Sequence, residues 1–136
     1  MDQYQKLLLQ EYKLPFHRAS GDQAIPQPIL SKHEKHNVTC GDHCKITISG
    51  TEEEISGYFS GEMCSVAVAS SSILMKKIEG LSNTEAKEVV KRFIENIETD
   101  LSALSDDKEY LALYSFKDYQ TRLNCVLLPW KSILEQ

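Results

Sequence analysis

Four cysteines, Cys40, Cys44, Cys64 and Cys125, are the leading chemical clue in this 136-residue chain. A reducing compartment makes structural disulfides rare and turns thiols toward metal binding or thiol chemistry. None of the four belongs to a paired C-x-x-C, so any site must be gathered from distant parts of the chain by folding. Cys40-Gly41-Asp42 sets a thiol and a carboxylate two residues apart. If that segment is extended, both side chains leave on one face, which suits two ligands, and the glycine allows close backbone approach or a positive φ. A polar turn leading into a strand accounts for the same three residues equally well. Gly61-Glu62-Met63-Cys64 opens a run of small residues that reads as a helix, which places Cys64 near a helix N-terminus. Amide hydrogens and the helix dipole there favour thiolate over thiol; a buried structural cysteine is the plainer alternative. Arg122 stands three residues before Cys125, on a neighbouring position of one helix face. Its charge could balance a thiolate-rich site, or it is simply a solvated charge at a helix end.

The elements that must position these side chains follow from periodicity. Leu7, Leu8 and Tyr12 share a helical stripe with Tyr4, and Pro15 ends the pattern, which predicts a short helix over 3–12. From Pro15 to about Ser31, with Gly21, Pro26 and Pro28, the chain reads as a surface loop. Ile46 and Ile48 alternate with Lys45, Thr47 and Ser49, and after Gly50 and Thr51 the segment from Ile55 to Phe59 completes an antiparallel hairpin. There is room for a further strand before Cys40, but Lys32 to His36 are too polar to mark it. The small residues after Cys64 lead into Ile73, Leu74, Met75 and Ile78 before Gly80, a helix stop. Ser82 or Asn83 caps a helix bearing Val89, Val90, Phe93, Ile94, Ile97 and Leu101. Ser102 to Lys108 is loop-like, 110–116 is a short helix, and 121–134 is a last helix with Leu123, Val126, Leu127, Trp130 and Leu134. Pro129 lies within it and would deprive the Cys125 carbonyl of its usual amide partner. The order predicts one α+β domain over residues 1–136, with a small antiparallel sheet of about three strands and helices on one face.

Composition narrows the function. The formal charge is −5 and the basic residues are scattered, which argues against a phosphate-tracking surface and against nucleic acid as a partner. No apolar run approaches the ~18–20 residues that a membrane span needs, and the N-terminal residues carry no basic start or apolar signal core. A soluble, cytoplasmic protein is expected, with no membrane partner.

Taken in order, several short segments resemble the NifU/IscU-type iron-sulfur cluster assembly scaffold family, over nearly the whole chain. Glu11-Tyr12-Lys13 followed by Pro15 and His17 resembles its N-terminal segment, and Asn37 to Asp42 its N-P-x-C-G-D. Gly61 to Cys64 resembles G-x-G-C, Ala69 to Ser72 resembles A-S-x-S, and Arg122 to Cys125 with Trp130 resembles R-x-K-C followed by L-x-W. Two features resemble the SufU branch. Cys64 and Cys125 lie 61 positions apart, enough for an extra segment around 101–119, and residue 124 is Asn where the IscU branch has a ligand histidine. No Leu-Pro-Pro-Val-Lys chaperone motif occurs. The chain departs from the pattern at Val38, in place of the proline, and at Met63, in place of the second glycine, where it is expected to crowd the site.

The resemblance implies a metal site of Cys40, Asp42, Cys64 and Cys125, holding zinc or the iron of a transient iron-sulfur cluster carried by the three cysteines. It further implies a sulfur acceptor, at Cys40 first, for persulfide from a SufS-type cysteine desulfurase, with Arg122 contacting persulfide or partner. SUF scaffold components and apo iron-sulfur proteins are the other implied partners. Such a protein is a non-enzymatic scaffold or a zinc-dependent, sulfurtransferase-like acceptor. Three thiolates and one carboxylate suit tetrahedral zinc, with the harder oxygen ligand the one to yield. The alternatives are a zinc-stabilised adaptor or regulatory domain without sulfur transfer and a cysteine hydrolase, which would need a positioned histidine. Cys44 lies outside the family pattern and, on the face that continues into Ile46 and Ile48, is expected in the core. His33, His36 and His43 near Cys40 invite a second metal reading, but no partner spacing supports it, and ordinary surface histidines are the expectation.

Overall fold

A computed structural model describes residues 1–97, 99 and 106–134. Helix α1 (Gln3–Lys13) opens with a capping box in which the Asp2 carboxylate accepts from the Gln5 amide and the Gln5 side chain accepts from the Asp2 amide. A connection with a single 3₁₀ turn at Asp22–Ala24 leads to three strands, β1 (Ile29–Asn37), β2 (Asp42–Thr51) and β3 (Glu54–Ser60). They form one antiparallel sheet in the order β1-β2-β3. Four helices follow: α2 (Ser65–Ile78), α3 (Asn83–Ile97), α4 (Lys108–Tyr114) and α5 (Gln120–Leu134). Among the described residues no helix is long and apolar enough to cross a membrane. The expectation for Leu101, and for the loop over 102–105, falls outside the described residues.

The register separates the two faces of the sheet. Asp42, Cys44, Ile46 and Ile48 alternate onto one face, and Ile46 lies opposite both His33 and Phe59. That face carries the core, where Cys44, Ile46, Ile48, Ile55 and Phe59 pack with α2 and α5. The other face carries Glu34, His36, His43 and Lys45. The polar segment Lys32 to His36 is therefore strand after all. Its pairing with β2 over the whole length from Ile29 to Asn37 overrides the missing alternation.

Helix α2 is buried almost all round, from Ala67 to Met75. Its serines take part in side-chain hydrogen bonds. Ser72 Oγ accepts from the Phe16 amide and donates to Glu11, fastening α1 and the chain after it to α2. Ser70 Oγ donates to the Val126 carbonyl and accepts from Trp130 Nε1 at 2.9 Å, joining α2 to α5. Helix α3 starts on a capping box between Ser82 and Glu85 and buries Ala86, Val90, Phe93 and Ile97. Phe93 stacks on Trp130 with centroids 3.7 Å apart. Asp107 caps α4 and takes an ion pair from Lys77, and Glu109 takes ion pairs from Lys76 and Lys77. Pro129 sits within α5, which runs through it from Gln120 to Leu134.

Candidate metal centre

Three parts of the fold meet at the start of β2. Residues 38–41 turn the chain from β1 into β2, and Gly41 supplies the positive φ of +71° that the turn needs. Cys40 lies in this turn, half-buried, and Asp42 is the first residue of β2, buried and facing the helices. The turn reading of Cys40-Gly41-Asp42 holds and the extended one does not, yet the turn still leaves the thiol and the carboxylate within 4.8 Å of each other. Cys64 is the N-cap of α2, as its place before the small-residue run predicts. Cys125 comes from the second turn of α5 and is fully buried.

Cys40 Sγ and Cys125 Sγ stand 3.3 Å apart, and one ligand atom each from Cys40, Asp42 and Cys125 falls within a single 4.8 Å cluster. Cys64 joins through its backbone: its amide donates to Asp42 Oδ1 at 2.8 Å. The other carboxylate oxygen, Asp42 Oδ2, is buried without a hydrogen-bond partner, the single such side-chain atom among the described residues. Burial pushes the Cys125 thiol up, and the thiols of Cys40 and Cys64 and the Asp42 carboxylate add to that push. Proton-bearing at neutral pH, Cys125 needs a cation nearby to become a thiolate.

Asn37, directly opposite Asp42 in the ladder, donates its amide to Cys125 Sγ at 3.7 Å. It belongs to the site, where the four-residue connection 38–41 sets it against Asp42. Gly61 holds the segment before Cys64 against β2: a Cβ there would meet the His43 carbonyl oxygen at 2.0 Å, and its φ is +115°. Met63, directly before Cys64, is partly buried. Its side chain packs against the core and its sulfur accepts from Ser71 Oγ at 3.7 Å. Cys44 is in the core as expected, fully buried, with its thiol pushed up to about 12 by desolvation. Arg122 is exposed on the first turn of α5. His33 is buried rather than on the surface, bonded to Ser31 Oγ, and its pKa is lowered by burial.

The model of the NifU-like N-terminal domain matches residues 3–124. The zinc-dependent sulfurtransferase SufU of Bacillus subtilis is 27% identical over 134 residues, covering 96% of this chain and 86% of that protein. The iron-sulfur cluster assembly scaffold protein IscU of Streptococcus pyogenes is 28% identical over 102 residues, 74% of this chain and 64% of that protein. Among solved structures, an iron-sulfur cluster assembly scaffold protein for the SUF system from Fervidobacterium islandicum superposes with a TM-score of 0.77 at 25% identity, over 95% of this chain and 92% of that one. The N-terminal part of a NifU-like protein from Brucella abortus shares the fold, with a TM-score of 0.68 at 15% identity over 96% and 88%. A match over most of the chain and an α+β fold shared with these scaffolds place this chain in the NifU-like N-terminal domain family of iron-sulfur cluster assembly scaffolds, on its SufU branch.

Proposed function

We propose that this chain accepts sulfur from a cysteine desulfurase for iron-sulfur cluster assembly, at a centre in which Cys40, Asp42, Cys64 and Cys125 hold a metal ion. The carrying observation is the buried, unpartnered Oδ2 of Asp42 beside two thiols 3.3 Å apart. A buried carboxylate oxygen without a partner is costly, and native proteins rarely leave one. The donor set fits zinc. Tetrahedral zinc with bonds near 2.3 Å holds its sulfur ligands about 3.8 Å apart, so the two thiols at 3.3 Å would part by about 0.5 Å to take it. A bound zinc or iron would supply positive charge that stabilises thiolate at the three cysteines.

The chain's own residues then divide the work. Cys125 is fully enclosed and anchors the centre from α5, with Asn37 donating to its sulfur. Cys40 and Cys64 are half-buried, and Cys40 lies in a turn at the rim, so Cys40 is the thiol an incoming persulfide reaches. Its thiolate attacks the outer sulfur of the desulfurase persulfide; the S–S bond breaks, the desulfurase cysteine leaves as thiolate, and the sulfane sulfur stays on Cys40. No net oxidation or reduction occurs. Asp42, fixed by the Cys64 amide at one oxygen, is the ligand that yields, oxygen being the harder donor. Arg122, exposed on α5, supplies a positive charge to the persulfide or to an acidic group of the partner.

The test pairs metal analysis with sulfur transfer. The chain purified without a tag should carry about one zinc. Incubated with cysteine and a SufS-type desulfurase, it should stimulate the desulfurase and gain the mass of one sulfur atom on Cys40. Cys64→Ser should lower the zinc content strongly. Full zinc with neither stimulation nor sulfur uptake would mark the centre as the structural zinc of an adaptor domain instead. Full zinc in Cys64→Ser would remove Cys64 from the ligand set.

A further inference from the structure

The rung that carries Asn37 and Asp42 faces the helices, and the next rung, His36 opposite His43, faces the other side of the sheet. Glu34, two residues before His36 on β1, shares that second face. The three side chains converge: His43 Nε2 is 2.6 Å and His36 Nε2 3.6 Å from the same oxygen, Glu34 Oε1. The imidazole rings stack at 4.1 Å with planes 4° apart, and the three ligand atoms fall within one 4.8 Å cluster. From this geometry we propose that Glu34, His36 and His43 form a second metal site, for zinc or a like first-row divalent cation, independent of the thiol centre.

Two imidazole nitrogens and a carboxylate oxygen are donors of the borderline class that zinc, cobalt and nickel accept, and three protein ligands leave coordination positions to water. Zinc with bonds of 2.0–2.2 Å holds such ligands about 3.4 Å apart, and the two nitrogen-to-oxygen distances lie on either side of that value. A carboxylate oxygen facing two imidazoles needs a proton or a cation between them. Loading requires the parallel rings to fan apart. The His36 side chain, 63% exposed, is free to turn, while His43 is the more firmly held, its amide bonded to the Glu62 carbonyl. Lys45 lies directly opposite Glu34 in the ladder, on the same face, and competes with the metal for the carboxylate.

Cobalt titration of the whole chain tests the site, because thiolate ligands give sulfur-to-cobalt charge-transfer absorption and nitrogen and oxygen ligands do not. The wild type should take up two equivalents, only one of them raising that absorption. His36→Gln with His43→Gln should lose one equivalent while the charge-transfer band, which also reports folding, is unchanged; Cys40→Ser should do the reverse. Lys45→Ala should tighten the second equivalent several-fold. A readout that ignores the thiols comes from imidazole nitrogen resonances: zinc should shift those of His36 and His43 and leave those of His17 and His33 in place. A wild type without a second equivalent, or a double glutamine variant that keeps it, would overturn the proposal, whatever becomes of sulfur transfer.

Discussion

Two buried polar spots lie along α5, and they are finished to different degrees. At Trp130 every donor and acceptor is matched: the indole N–H donates to Ser70 Oγ, and Ser70 donates on to the Val126 carbonyl. Near Cys125, Asp42 has one oxygen bonded to the Cys64 amide and the other bonded to nothing. Both spots are enclosed by the same helices, so burial does not separate them. Completion does: a satisfied buried network specifies the fold, whereas an unsatisfied one is shaped for something the chain does not itself contain.

The largest effect should come from breaking the complete spot. Ser70→Ala strands the Trp130 indole N–H and the Val126 carbonyl, at a cost of about 1–3 kcal/mol in denaturant unfolding. Zinc per folded chain should not change; a loss of metal in the folded variant would mean that the two spots are one. A smaller change is expected from Asp42→Asn in metal-free protein. The amide keeps an oxygen for the Cys64 N–H and removes a buried charge, so stability should stay within about 1 kcal/mol of wild type. A chelator should lower the melting temperature of wild type and lower that of this variant, which keeps the three thiols, by less. Destabilisation of the metal-free variant by several kcal/mol would show that Asp42 is structural.

A third test concerns the aromatic end alone and is confined to alkaline pH. Tyr110 packs against Phe93 and Trp130, and burial, with help from Asp107 and Glu109, pushes its hydroxyl up to about 12 against the pull of Lys77. The unfolded chain ionises near 10, so the folded form holds its proton longer. The resulting stability is complete below about pH 10 and is lost as pH climbs through about 12. Wild type should therefore lose stability more steeply than Tyr110→Phe across that window, with or without metal. Parallel curves would show that Tyr110 titrates as it does in water.

The complete spot was also the easier to read in the sequence. Val90, Phe93 and Ile97 recur at helical spacing in α3, and Leu123, Val126, Leu127 and Trp130 do so in α5, so their burial follows from periodicity. The thiols of the centre were legible as candidates because cysteine in a reducing setting needs a reason, and the family pattern ordered them. Asn37 and the Glu34, His36 and His43 cluster were not, for one shared cause. All four belong to β1, or to the rung paired with it, and β1 carries polar residues on both faces: Lys32, Glu34 and His36 on the open side, Ser31, His33 and Lys35 on the core side. A strand without alternation gives no period to detect; pairing with β2 creates it.

The hydrogen bond from the Cys64 amide to Asp42 Oδ1 has a kinetic consequence. A carboxylate tethered at one oxygen can present or withdraw the other by a small rotation, without uncoiling a loop or unpairing a strand. Exchange at this corner of the molecule is therefore decoupled from slow backbone rearrangement, and its pace is set by a side-chain torsion. The same tether fastens the first turn of α2 to the first residue of β2, across 22 positions of sequence. The Cys64 amide proton thus becomes a local clock: its protection from solvent exchange measures how often the arm lets go.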